Sequence, residues 1–92
     1  MENKKDKTLI DFTKSAFKHG IKEDDILHAL SSRIFSDIYE DYPEKFLVIG
    51  FDGSGNLLEI MYNVEKYEKI KVFHAMKCRK KYIKELNLNI WR

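Results

Sequence analysis

Two runs dense in β-branched and aromatic residues, Phe46-Leu-Val-Ile-Gly-Phe51 and Leu57-Leu-Glu-Ile-Met-Tyr-Asn63, flank the short stretch Asp52-Gly-Ser-Gly-Asn56. Such runs suit a pleated, half-buried surface, and the glycines between them can take positive φ. The pair therefore predicts a β-hairpin at the centre of the chain. Ninety-two residues make one domain, 1–92, able to bury roughly 60 to 65% of its unfolded surface around a single core. A chain that is 43% hydrophobic and 35% charged, with six Phe and five Tyr, has the composition of a folded domain.

The flanking segments set the expected architecture. Thr8-Leu-Ile-Asp11 has the form of a capping box, and Leu9, Phe12, Thr13 and Ala16 then recur at i, i+3, i+4 and i+7 up to Gly20, which predicts a first helix. Glu23-Asp24-Asp25 favours the positive end of a helix dipole and opens a second helix that turns Ile26, Leu27 and Leu30 inward. Arg33 to Tyr39 fits a short edge strand followed by an acidic loop closed by Pro43. Ile70 to Ala75 reads as a further strand after the Asn63 to Lys69 turn. From Lys77 onward Tyr82, Ile83, Leu86 and Ile90 return to helical spacing, with Trp91 as an anchor for the tail. The expected fold class is α+β: two N-terminal helices packed on one face of a three- to four-stranded antiparallel sheet, followed by a C-terminal helix, with the opposite face open to a ligand.

Charge is polarised along the chain although its net value is only +2. Lys22 to Glu44 holds seven acids against two cations, whereas Glu65 to Lys84 holds eight cations against two acids. One surface is therefore expected to meet an anion. The single Cys78 cannot form an internal disulfide, and no signal peptide or apolar membrane span is visible, so the expected setting is a reducing cytoplasm.

The densest chemistry lies in His74-Ala-Met-Lys-Cys-Arg-Lys-Lys-Tyr82. His74 and Cys78 are four apart, but two ligands do not make a zinc site, and neither metal nor cofactor is expected. Gly53-Ser-Gly55 lies between two strands rather than before a helix, against a nucleotide-phosphate cradle. No serine or cysteine sits in an elbow-like motif, and Cys78 beside cations would have at most a somewhat lowered pKa. Acid–base chemistry is better supplied: Glu59 and His74 fall on neighbouring strands and are group types that move protons near neutral pH. By strict alternation, however, His74 shares the side of Ile70 and Val72, while Glu59 shares that of Leu57, Met61 and Asn63. His74 is then either a core histidine satisfied by a hydrogen bond or a site residue re-aimed by a bulge. Lys77, Arg79, Lys80, Lys81 and Lys84 have no acid among them and suit a phosphodiester backbone, with Arg79 able to clamp a phosphate bidentately. Tyr62, Tyr67, Phe73 and Tyr82 offer stacking surfaces for unpaired bases, or else are ordinary core aromatics. Lys77, Lys81, Lys84, Arg33 and Tyr62 are accordingly candidate RNA contacts.

Phe17-Lys-His-Gly-Ile21 with Glu23-Asp24-Asp25-Ile26, then Val48 to Ile60, then Phe73 to Tyr82 together resemble the BrnT-like toxins of the RelE-type ribonuclease superfamily, in order, from about residue 12 to residue 84. The resemblance implies the toxin of a type II toxin–antitoxin system: a metal-independent endoribonuclease that cuts mRNA and stops translation. A cognate antitoxin, usually DNA-binding, would hold it inactive in a hetero-oligomer. It also implies that His74, Arg79, Lys80 and Tyr82, with Glu59 on the middle strand, form the catalytic set, and that His19 is the histidine before the glycine and contacts RNA. His74-Ala75-Met76 departs from the Arg- or Ser-containing strand end of many relatives, which leaves the proton-transfer groups open. The antitoxin would block the basic groove or bind the acidic stretch from Glu23 to Glu44. The alternative is a non-catalytic RNA- or protein-binding module with a basic patch.

Overall fold

The computed structural model describes residues 9–85. Strands β1 (Ile10–Phe12), β2 (Arg33–Tyr39), β3 (Tyr42–Phe51), β4 (Leu57–Val64) and β5 (Ile70–Lys77) form one sheet in the spatial order β1-β5-β4-β3-β2. β1 runs parallel to β5, and every other pair is antiparallel. Helix α1 (Glu23–Ser31) covers one face, and the short helix α2 (Lys80–Glu85) follows β5. None of the described helices is long and apolar enough to cross a membrane.

The expected fold class is thereby corrected. There are five strands in a mixed sheet, and only one helix, α1, packs on the sheet ahead of the meander. The segment read as helix one is β1 followed by a 3-10 turn at Lys14–Phe17. Its residues carry two periods at once: Leu9, Phe12 and Ala16 match a helix, whereas Ile10 and Phe12 alternate as a strand. The parallel partner decides between them, since Ile10, Asp11 and Phe12 pair with Ile70, Lys71 and Val72 and the Asp11 carboxylate meets Lys69 at 2.8 Å. Thr8, Leu86, Ile90 and Trp91 lie outside the described residues. The C-terminal helix starts at Lys80 rather than Lys77, because Lys77 still pairs with Leu58 as the last residue of β5.

The central hairpin forms as its composition requires. Asp52 accepts hydrogen bonds from the backbone amides of Ser54 and Asn56 at 2.9 and 2.8 Å, and Gly55 takes φ +88°. Gly53 then donates to the Asp25 carboxylate at 3.2 Å, tying the loop to the first turn of α1. Pro43 sits inside β3 rather than in a loop. It is tolerated because the β2–β3 register is irregular between Tyr39–Tyr42 and Ile38–Phe46, and β4 pairs only from Lys45 onward, so no ladder bond is lost.

The helix face is a packed apolar layer. Ile26, Ala29 and Leu30 of α1 lie on Val48, Leu58, Ile60, Tyr62, Val72 and Ala75, with Ala16 at the margin. Gly50 allows this approach: a Cβ there would be built onto the carbonyl of Ala29. On the second face Leu47, Ile49, Leu57, Met61 and Tyr82 form a smaller cluster, edged by Phe35, Tyr39, Phe73 and Cys78. Among these apolar neighbours one carboxylate, Glu59, is wholly buried.

A bulge in β5 aligns the second face. Tyr62 pairs with Val72 but Met61 pairs with His74, so Phe73 is an extra residue. Val72 and Ala75 consequently both face α1, and His74 turns to the side of Glu59. The Ser15 hydroxyl donates to the Phe73 carbonyl at 2.7 Å, and the Thr13 amide donates to the Val72 carbonyl at 2.9 Å, so the 3-10 turn is fastened to the bulge.

Candidate active site

Glu59 is the hub of a small ion cluster. Its Oε1 accepts the Arg79 backbone N–H at 2.9 Å and Nε–H at 3.2 Å. Its Oε2 accepts Arg79 Nη2–H at 2.7 Å, Nε–H at 3.1 Å and His74 Nε2 at 2.9 Å. The backbone bond exists because Cys78, one residue earlier, continues the pairing by donating to the Leu57 carbonyl at 2.9 Å. The chain thus leaves the sheet at the point where its next amide meets the carboxylate.

Burial pushes the Glu59 carboxyl up, but the hydrogen bonds from His74 and Arg79 and the guanidinium charge outweigh it and hold the pKa at about 2. An ionised carboxylate only accepts, so the His74 Nε2 must carry the proton, and in the neutral ring Nδ1 holds the lone pair. That Nδ1 has no hydrogen-bond partner among the described residues, and the ring is 21% exposed. Glu59 therefore selects one tautomer and turns the basic nitrogen away from itself. The same reasoning removes Glu59 as a proton acceptor: it is unexposed, its oxygens are occupied, and its pKa lies far below neutrality. It is a positioning anion.

Arg79 is 44% exposed in its side chain. Its Nε and Nη2 edge is spent on Glu59, so the bidentate phosphate clamp expected of that edge is not available. The outer Nη1 and Nη2 edge remains for a second anion. Tyr82 lies beneath, its ring 5.5 Å from the Arg79 guanidinium carbon and 5.0 Å from Lys81 Nζ. Tyr82 is itself buried, and burial together with the adjacent Tyr39 pushes its phenol up to about 12. This corrects its expected role as an acid or a base-stacking surface: it supports the cations from the core.

The remaining candidates separate clearly. Lys80, Lys81 and Lys84 are exposed on α2, which follows Arg79, whereas Lys77 is exposed at the end of β5, paired with Leu58 on the helix side of the sheet and away from Glu59. Lys81 also lines a cleft of about 340 Å³ with Tyr39, Tyr82, Asp37, Glu40 and Glu85, where acids outnumber cations. Arg33 is not in the cluster; it pairs across from Gly50 on the helix side and its Nε–H caps the Leu30 carbonyl at 2.9 Å. Tyr62 is a core residue of the helix face, stacked on Phe46 with ring centroids 5.5 Å apart. Tyr67 is exposed but sits in the β4–β5 turn, at the opposite end of that strand pair from Glu59. His19 is brought in: its ring lies 5.7 Å from that of His74, edge to face at 75°.

Cys78 is corrected as well. Burial, then the Glu59 charge, push its thiol up to about 11 against the smaller lowering by Arg79, so it stays protonated near neutral pH. Ser15 and Lys45 were not legible as site neighbours. Ser15 anchors the bulge, and Lys45 Nζ stands 5.2 Å from the Phe73 ring while donating to Asn63 at 3.0 Å. A serine three residues after a strand carries no local signal of a bond to a backbone carbonyl 58 residues away.

Comparison with protein-family models, with curated proteins and with solved structures returns no match to the chain.

Proposed function

We propose that the chain is a metal-independent endoribonuclease, acting in the cytoplasm as the toxin of a type II toxin–antitoxin pair of the BrnT-like kind. The single observation that supports catalysis is the buried Glu59 carboxylate that holds both His74 and Arg79, exposing a tautomerically fixed imidazole next to a guanidinium and a group of lysines. The motifs from Phe17 to Ile26 and from Phe73 to Tyr82 support the toxin setting and the partner, a DNA-binding antitoxin.

In this reading His74 Nδ1 takes the proton of an RNA 2′-hydroxyl, and the resulting oxygen attacks the adjacent phosphorus. The outer edge of Arg79, with Lys80, stabilises charge that develops on the phosphoryl oxygens, a contribution of several kcal/mol in a preorganised site. Lys81 and Lys84 hold the flanking backbone. The products carry a 2′,3′-cyclic phosphate and a 5′-hydroxyl, and DNA survives.

A second reading, an RNA-binding module without chemistry, draws on the complete satisfaction of Glu59, since such a cluster also fastens β4 to the start of α2. Incubating purified protein with RNA in EDTA and mapping the ends separates the two. Cleavage with cyclic-phosphate ends is expected, and His74→Ala should slow it about 10²- to 10⁴-fold while RNA retention holds. Retention without any cleavage would establish the binding module instead.

A further inference from the structure

His74 supplies one proton transfer, yet cleavage of a phosphodiester needs two. Resting on the ribonuclease reading above, we infer that His19 is the second catalytic residue, the acid that protonates the departing 5′-oxygen.

The other groups near His74 are unsuited to that transfer. Glu59 is ionised and enclosed, and the Tyr82 hydroxyl is buried beside Tyr39. Arg79 is held by Glu59, which further favours its charged form. Cys78 is a partly buried thiol packed into the apolar cluster, and burial with the Glu59 charge pushes it up to about 11. His19 is exposed, and its ring stands 5.7 Å from that of His74. The two rings touch edge to face, so a phosphate seated across their shared outer rim would present its 2′-oxygen to one imidazole and its 5′-oxygen to the other.

The placement of His19 is built rather than incidental. The segment before it is bound to β5 by the Thr13 amide on Val72 and the Ser15 hydroxyl on Phe73, the two residues that precede His74. Phe17 packs on Phe12 with ring centroids 5.4 Å apart, and the Gly20 amide donates to the Phe17 carbonyl at 3.0 Å as the chain turns at φ +82°. The bulge that aims His74 is thus also the anchor of the turn that carries His19. Both imidazoles are referred to one point of the backbone.

The step balances. The 2′-hydroxyl proton passes to His74 Nδ1, and the 2′-oxygen forms a bond to phosphorus. The bond from phosphorus to the 5′-oxygen breaks with its electron pair on oxygen, and that oxygen takes a proton from the His19 imidazolium. His74 ends charged and His19 neutral, and exchange with water restores both.

The test compares ordinary RNA with RNA containing a 5′-bridging phosphorothiolate at the cleaved bond, whose sulfur leaves without protonation. His19→Ala should slow cleavage of ordinary RNA about 10²- to 10⁴-fold and return to within about tenfold of the unaltered protein on the thiolate. His74→Ala should stay impaired on both. Ser15→Ala, a change in a positioning residue, should show a smaller loss that the thiolate also relieves. Equal impairment of His19→Ala on the two substrates would overturn the assignment, leaving His19 as an RNA contact. Unaltered protein that cleaves neither substrate would overturn the ribonuclease reading along with it. Thermal melts of each variant show whether a loss comes from unfolding, and His19→Gln provides a second, isosteric replacement.

Discussion

On one side of β4, Leu58 and Ile60 disappear beneath α1, where Gly50 lets the backbone of Ala29 descend onto the sheet. On the other side, between those two residues, Glu59 is equally inaccessible but is surrounded by five hydrogen bonds from His74 and Arg79. The helix face is closed by shape and volume, the second by charge. Apolar packing tolerates no vacancy and has no further capacity, whereas an ion cluster costs desolvation and leaves directed groups at its rim. The contrast separates a face that maintains the fold from one that orients reactive nitrogens.

The contrast can be broken in several places. Glu59→Ala should be the most damaging, at about 4 kcal/mol, because it leaves the Arg79 guanidinium and the His74 N–H without their buried acceptor against an apolar cluster; the urea midpoint reads the loss. Replacing the whole set, as Glu59→Leu with His74→Leu and Arg79→Met, should recover most of that stability while abolishing cleavage. A triple variant as unstable as the single one would show that the cluster serves the fold after all.

Acid should reproduce part of this loss without mutation. The Glu59 pKa is depressed from 4.5 to about 2, so the native state binds fewer protons than the unfolded chain in that interval. The contribution is complete above pH 4.5 and disappears as pH falls toward 2, amounting to about 3 kcal/mol. Denaturant melts across that window should show the slope, and Glu59→Gln should flatten it.

Smaller effects sharpen the helix face. Gly50→Ala should cost about 2 kcal/mol by pushing α1 off the sheet, with cleavage per folded molecule unchanged. Ile26→Val should cost about 1 kcal/mol in the same melt. Either change altering the cleavage rate of folded protein would mean that the two faces are coupled.

Much of the second face is legible in the sequence. Glu59 and His74 stand on adjacent strands because the hairpin and the following strand are written in β-branched and aromatic runs, and the cations of Lys77 to Lys84 follow in sequence. Three things are not. The parallel pairing of Ile10–Phe12 with β5 joins segments sixty residues apart, beyond the reach of local periodicity. The burial of Tyr82 and Tyr62 depends on which face each residue takes, and an aromatic side chain suits core and ligand surface alike. The contact between His19 and His74 depends on a bulge, which the alternation of Ile70, Val72 and His74 leaves open but does not locate. The state of the Cys78 thiol is hidden for a related reason: neighbouring cations can be counted in a sequence, but burial and the opposing Glu59 charge cannot.

The supernumerary Phe73 makes the spacing of the two imidazoles a matter of chain length rather than of side-chain identity. Deleting that one codon would let Val72 and His74 keep their partners on β4, while the carbonyl that tethers Ser15 would vanish. A lineage could in this way mute the protein with both histidines, the arginine and the hydrophobic layers still in place, and an inspection confined to conserved letters would miss the loss.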